Sequence, residues 1–316
     1  MTYLSVCSGI EATSVAWEPL GFKPVGFAEI EPFPCELLKQ KYPNVKNYGD
    51  ITQYEKWNIG QFDILVGGTP CQSFSIAGKR GGIADERGAL MYAYLGIVET
   101  YRPRWIVWEN VPGVLSSNSG YDFTSFLAGL EECGYGWAYR VLDAQYFGVP
   151  QRRRRVFVVG HSDNRTDLAA EVLFEPESMC GNIATGSETQ KETAAFIGKG
   201  VNYFRRGGNF KYHKDKKAAA LRCSASHDCF DLVLTSEKKY IRRLTPLECE
   251  RLQGFPDNYT QIEWRGKPTE QCPDSLRYKA IGNSMAVPVM RWIGERIKRI
   301  TGEKYYAHIS TKKRMV

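Results

Sequence analysis

The sequence predicts an α/β protein: a doubly wound, mixed but mostly parallel sheet with a small irregular domain attached. Three observations carry this. Short apolar, β-prone runs alternate with helix-length segments over residues 3–160. Two of those runs end in chemically loaded loops, Gly67-Gly68-Thr69-Pro70-Cys71 and Glu109-Asn110-Val111, and open α/β sheets place their chemistry at the carboxyl ends of strands. Beyond residue 160 the alternation dissolves into a stretch rich in Ser, Thr, Lys and Gly.

Taken in order, Tyr3 to Cys7 reads as a strand and Glu11 to Leu20 as a helix. Pro24 to Glu29 and Pro34 to Lys41 form the next strand–helix pair, then Ile64 to Val66 and Leu90 to Thr100, then Trp105 to Trp108 and Thr124 to Cys133. Tyr139 to Asp143 and Arg155 to Gly160 close the sheet. No helical period persists over residues 161–240, which predicts a loop-rich unit. Order returns at Thr245-Pro246-Leu247-Glu248, a capping box with proline in the first turn, and the helix it opens stops at Gly254. Val287 to Ile300 reads as the last helix.

A chain of 316 residues, 43% hydrophobic, can bury one large core or one large and one small. No apolar run approaches a membrane span, and Met1-Thr2-Tyr3-Leu4 lacks a charged segment ahead of an apolar one, so a soluble, cytoplasmic protein is expected. Nine scattered cysteines without a Cys-x-x-Cys pair suit a reducing compartment. Four histidines without ligand spacing predict no metal site. Residues 1–150 hold 11 Lys and Arg against 16 Asp and Glu, whereas residues 151–316 hold 31 against 19. That asymmetry predicts a polyanion docked on the C-terminal half, and nothing in the apolar pattern calls for more than a monomer.

These motifs together resemble those of the bacterial and phage DNA (cytosine-5)-methyltransferases. Gly67-Gly-Thr-Pro-Cys71-Gln72 is similar to the family's nucleophile loop, Glu109-Asn110-Val111 to its acid motif, and Gln151-Arg-Arg153-Arg-Arg155 to its Gln-x-Arg-x-Arg motif. Arg243-Leu-Thr-Pro-x-Glu248 with Gly254-Phe-Pro256, and Gly282-Asn283-Ser284, resemble the last two motifs. Five matches in family order over more than two hundred residues make the resemblance specific.

The resemblance implies a class I, Rossmann-like methyltransferase fold that uses S-adenosylmethionine, releases S-adenosylhomocysteine and needs no metal. Residues 1–160 and 270–316 would form the catalytic domain, and 161–269 the target-recognition domain and hinge, with a variable core at about 161–240. Cys71 would be the nucleophile, adding to carbon 6 of cytosine so that carbon 5 becomes nucleophilic. Glu109, after four apolar residues, would be held protonated at such an edge and would bond ring nitrogen 3. Asn110 would hold the loop and the base; Arg153 and Arg155 would hold the base carbonyl, the loop and phosphate, with Arg152 and Arg154 on the opposite face. Cys7, Gly9, Ile10, Glu29, Ile30, Asp50, Ile51, Pro70, Leu90, Asn283 and Ser284 would line the cofactor pocket, Glu29 at the ribose and Asp50 at the adenine amino group.

For DNA, the expected contacts are Gln72, Ser75, Gln151, Arg205, Arg206, Lys211, Arg222 and Arg243, with Asn209, Ser224 and Ser226 as further base-reading candidates. The reacting base must leave the stack, so base flipping in double-stranded DNA is implied, and a cognate restriction endonuclease acting on the same site is a possible companion. One stretch departs from the family. Where its members read Asp-Leu-Phe-x-Gly-x-Gly-Gly, this chain has Ser5-Val6-Cys7-Ser8-Gly9-Ile10-Glu11-Ala12. An RNA cytosine methyltransferase and a non-catalytic DNA-binding relative are the competing readings. A cysteine hydrolase fits less well, because no histidine lies near Cys71 in sequence.

Overall fold

The computed structural model of this chain describes residues 1–69, 86–175, 202–206, 212–215, 232–234 and 241–313. Six strands, β1 (Thr2–Val6), β2 (Lys23–Ala28), β3 (Ile64–Gly67), β4 (Trp105–Asn110), β5 (Gly136–Asp143) and β6 (Arg154–His161), form one sheet in the order β2-β1-β3-β4-β6-β5. β1 runs parallel to β2 and β3, and β3 parallel to β4; β6 is antiparallel to β4 and β5. The chain winds outward from β1 to β2 and then returns to the far side of β1, so the order reverses between β1 and β3. That is the switch point at which open α/β sheets form their crevice.

The sheet is covered on both faces, which is why its strands are apolar at nearly every position rather than at alternate ones. In β3, Ile64 and Val66 face one core and Leu65 the other; in β4, Trp105 and Val107 oppose Ile106 and Trp108. The first core takes in α1 (Ala12–Trp17), α2 (Pro32–Lys41), α5 (Thr166–Leu173) and the start of the last helix, α8 (Val287–Lys313). The second takes in α3 (Glu86–Tyr101) and α4 (Tyr121–Glu132). Trp17 pins the first face: its indole N–H donates to the Met290 carbonyl at 2.6 Å, and Tyr3 and Phe22 meet its ring edge to face.

α6 (Pro246–Gln253) starts at the expected capping box. Thr245 Oγ1 accepts from the Glu248 N–H at 3.2 Å while Glu248 Oε2 accepts from the Thr245 N–H at 2.7 Å, and Gly254 ends the helix at φ 79°. The same carboxylate takes two hydrogen bonds of 2.7 Å from Arg242, so the helix start is tied to the strand before it.

Two expectations are corrected. The helix-free reading of residues 161–240 fails at α5, which buries Leu168, Ala169, Val172 and Leu173 against β5, β6 and α8. Eight residues give two turns, too short for a visible period; the neighbouring elements supply the burial. Arg296 on α8 also holds the far end of α5, donating to the Val172 and Phe174 carbonyls at 2.5 and 2.7 Å. Further on, residues read as irregular contain a second, antiparallel sheet of β7 (Asn202–Arg206), β8 (Tyr212–Asp215), β9 (Leu232–Leu234) and β10 (Ile241–Arg243), in the order β10-β9-β7-β8. α7 (Asp274–Asn283) had no counterpart in the sequence reading.

Candidate active site at the strand ends

Parallel registry brings the catalytic candidates together. Val6, Gly67 and Trp108 lie side by side across β1, β3 and β4, so the residues just beyond them share one edge. Both glycines of the Gly67-Gly68 pair are demanded by this packing. A Cβ on Gly67 would stand 2.2 Å from the Val6 carbonyl oxygen; one on Gly68 would stand 2.8 Å from Glu109 Oε2 and 3.0 Å from the Glu109 carbonyl. Thr69 is then held twice by β4. The Trp108 indole N–H donates to its Oγ1 at 3.1 Å, and the Asn110 amide donates to its carbonyl at 3.0 Å. Pro70, Cys71, Gln72 and Ser75 lie outside the described residues.

Glu109 is half-buried, its side chain 12% exposed, and desolvation raises its carboxyl pKa above the ordinary value, with Arg155 and then Arg153 opposing the rise. Arg155 Nε stands 3.0 Å from Glu109 Oε1. The Arg152-to-Arg155 run alternates as expected, with Arg153 buried, Arg155 half-buried, and Arg152 and Arg154 exposed. Arg153 differs in what it touches. Its guanidinium donates to the carbonyls of Gly282 and Ser284 at 3.1 and 2.6 Å, and Gln253 donates to the Ile281 carbonyl at 3.1 Å. Arg153 therefore ties β6 to the turn that closes α7. Gln151, expected against DNA, has no exposed surface, and its side-chain amide has no hydrogen-bond partner among the described residues.

The loop after β1 takes left-handed backbone at Cys7, Gly9 and Glu11, with φ of 48°, 54° and 59°. Two of these carry side chains, a conformation that costs roughly 1–2 kcal/mol per residue. Glu11 offsets its share through its carboxylate, which accepts from the Ser5 hydroxyl and from the Ser14 N–H and hydroxyl at 3.1 and 2.6 Å. It thereby caps α1 where the family carries glycine. Burial raises this carboxyl to about 7 against those hydrogen bonds. Cys7 is an un-ionised thiol, pushed up to about 12 by burial and then by Glu29 and Asp50.

Glu29, at the end of β2, knits the crevice wall. Its Oε2 accepts from the Gly9 N–H at 2.7 Å, and Oε1 from the N–H groups of Ile30 and Glu31 at 2.9 and 2.8 Å. Asp50 is exposed and caps the 3-10 turn Ile51–Lys56 through the Thr52 N–H at 2.9 Å. Ile30 beside Glu29 is 67% exposed, an apolar side chain open to solvent. Gly9 has open space where a Cβ would sit. Leu90 is half-buried and Asn283 exposed. The side chains of Ile10 and Ile51 are buried in the two cores. Ser284 is buried, its hydroxyl turned to the Met285 carbonyl at 3.2 Å.

On the nucleic-acid side, Arg205 and Arg206 lie on β7, and Arg243 is exposed at the end of β10. Asn209, Lys211, Arg222, Ser224 and Ser226 lie outside the described residues. Among the described residues no group of His, Cys, Asp and Glu is placed to hold a metal ion, and no helix is long and apolar enough to cross a membrane. Sequence reasoning missed Trp108 and Thr69 as loop anchors, and Asn47 beside Glu29. None belongs to a motif; only the nearness of Thr69 to Cys71 and of Asn47 to Gly49-Asp50 hinted at them.

A mixed, mostly parallel sheet with an acid, arginines and a loop-holding asparagine at its switch-point edge has the layout of a class I methyltransferase. The profile of the family described as C-5 cytosine-specific DNA methylase matches residues 1–194 and 182–299. The Type II methyltransferase M.NgoBV of Neisseria gonorrhoeae is 31% identical over 90% of this chain and 72% of its own length. A protein of Escherichia phage P1 named DNA N-6-adenine-methyltransferase is 36% identical over 95% of this chain, which spans 61% of that relative's length. In fold, the chain is similar to the S. pombe Dnmt2 methyltransferase, with a TM-score of 0.70, 18% identity, and coverage of 95% of this chain and 99% of that one. It is also similar to the Entamoeba histolytica methyltransferase EhMeth, with a TM-score of 0.64, 19% identity, and coverage of 94% and 97%. The chain belongs to the C-5 cytosine-specific DNA methylase family.

Proposed function

We propose that the protein transfers a methyl group from S-adenosylmethionine to carbon 5 of cytosine within a short sequence of double-stranded DNA, through a flipped base and a transient bond from Cys71 to carbon 6. The observation that carries this is the close packing of Glu109 on Gly68 and the Asn110 bond to Thr69, two residues ahead of Cys71 in the sequence.

The chain fits the methyl donor. Gly9 leaves open space at the end of β1, Ile30 offers an exposed apolar contact, and Asp50 is free on one oxygen side toward solvent. Three backbone N–H groups already fill most of the acceptor capacity of Glu29, leaving about one lone pair, on Oε2, for a ribose hydroxyl rather than both hydroxyls. When bound, S-adenosylmethionine supplies an electrophilic methyl group on its sulfonium.

The residues do the remaining work. The Cys71 thiolate adds to carbon 6, and the displaced electron pair moves into the ring. Glu109 in its protonated form, which burial favours, would donate to ring nitrogen 3 and so stabilise the charge that addition builds there. Arg155 fixes the carboxyl group's orientation. Loss of the carbon-5 proton and departure of the thiolate then restore the aromatic ring. Trp108 and Asn110 hold Thr69 at the end of β3.

The name of the phage P1 relative specifies adenine N6, an exocyclic amine that attacks with its own lone pair and has no need of a thiol. The Pro70-Cys71 loop with Glu109 favours carbon 5. Residues 161–269 would supply target recognition, and the basic C-terminal half the phosphate contacts. Bisulfite sequencing of a plasmid incubated with the protein and S-adenosylmethionine tests the reading. Protected cytosines at one repeated sequence are expected; N6-methyladenine in place of 5-methylcytosine would overturn it.

A further inference from the structure

One amide joins the two acidic residues of the cofactor crevice. The segment from Lys46 to Tyr48 runs alongside the edge strand β2: the Phe27 N–H donates to the Lys46 carbonyl at 2.9 Å, and the Tyr48 N–H to the Phe27 carbonyl at 2.7 Å. Asn47 in this segment turns its side chain onto Glu29. Its Nδ2 donates to the Glu29 carbonyl at 3.0 Å, while its Oδ1 accepts from the Glu29 N–H at 3.0 Å. The same Oδ1 accepts from the N–H of Gly49 at 3.1 Å, and Gly49 immediately precedes Asp50. The Cys35 thiol adds a further donor to the Glu29 carbonyl at 3.1 Å.

We propose that Asn47 is a positioning residue for the nucleoside end of the methyl donor, its amide fixing the separation and orientation of the Glu29 and Asp50 carboxylates. This rests on the S-adenosylmethionine reading given above. The chemistry selects asparagine. The site presents two N–H donors and one carbonyl to a side chain of this length, and an amide supplies both the acceptor and the donor. Aspartate would lose the donation and set a third negative charge beside Glu29 and Asp50; glutamine is one methylene longer. Asn47 acts only through its neighbours, so its effect belongs to binding of the nucleoside and not to the methyl-transfer step.

Calorimetric titration of the full chain with S-adenosylhomocysteine and with 5′-methylthioadenosine, which keeps the nucleoside and lacks the amino-acid end, tests this. Asn47→Ala is expected to weaken both ligands by the same factor, about tenfold, as befits the net loss of one or two hydrogen bonds. The KM for the donor should rise by a similar factor while kcat at saturation stays within about twofold. Asn47→Ser, which keeps one hydroxyl to bond Glu29 or Gly49 but not both, should fall between wild type and alanine and stands in if the alanine variant does not fold. In an Asp50→Ala background the effect of Asn47→Ala should shrink, because one of the two groups it positions is gone. Unchanged affinity in a folded variant, a loss confined to S-adenosylhomocysteine, or a fall in kcat with constant KM would overturn the proposal. A wild-type protein that binds neither ligand would overturn the cofactor reading, and this proposal with it.

Discussion

Glu109 packs against the backbone at Gly68 so closely that no side chain fits between them: a Cβ there would lie 2.8 Å from its carboxylate and 3.0 Å from its carbonyl oxygen. The Glu109 carboxyl and the backbone at Gly68 are therefore packed directly against each other. Gly68→Ala should displace Glu109, since the backbone carbonyl cannot rotate away. We expect a stability loss of about 1–3 kcal/mol and a fall in kcat far larger than that loss explains, read from turnover at a temperature where the variant remains folded.

Glu109→Gln keeps the shape and removes the transferable proton. Turnover should drop by about 10²–10⁴-fold, with DNA binding in a gel-shift assay unchanged. Burial raises the Glu109 pKa, and the proposed mechanism uses its protonated form, so wild-type activity should decline as pH rises through that raised value. The glutamine variant should lose that alkaline limb.

Trp108→Phe preserves the aromatic packing on Phe126 and deletes only the donor to Thr69. Stability should fall by about 1 kcal/mol. Activity should fall further, with affinity for the methyl donor unchanged, and the KM-against-kcat split separates the two effects.

Glu11 gives a pH dependence of stability rather than of activity. Its carboxyl is raised from the ordinary 4.5 to about 7 by burial, so the folded chain holds a proton that the unfolded chain releases between those values. Stability should thus fall as pH rises from about 4.5 to about 7 and level off above, by an amount on the order of 3 kcal/mol. Glu11→Gln should flatten that slope in melting curves taken between pH 5 and pH 8.

The strands, the switch-point loops and the capping box at Thr245 were legible because each is a local signal: an apolar run, a glycine pair, a serine-or-threonine cap with glutamate three residues on. Alternation also gave the buried side of Arg153. It could not give the partners, since Gly282 and Ser284 lie more than a hundred residues on and only folding brings them near. α5 escaped because its stability comes from β5, β6 and α8 rather than from its own eight residues. The inward turn of Ile10 and Ile51 was not legible, because their place beside polar loop residues does not show that their side chains join the cores. Asn47 left no trace in the motifs, since its function is to hold the backbone of another segment.

The central claim is that Cys71 bonds to carbon 6 of cytosine. Duplex DNA carrying 5-fluorocytosine in the target sequence tests it most directly, because fluorine cannot leave as the carbon-5 proton does and the intermediate is trapped. With S-adenosylmethionine present, a denaturation-resistant protein–DNA complex is predicted for the wild type and none for Cys71→Ala. A wild-type protein that methylates ordinary DNA yet forms no such complex, or a Cys71→Ala variant that still forms it, would contradict the account.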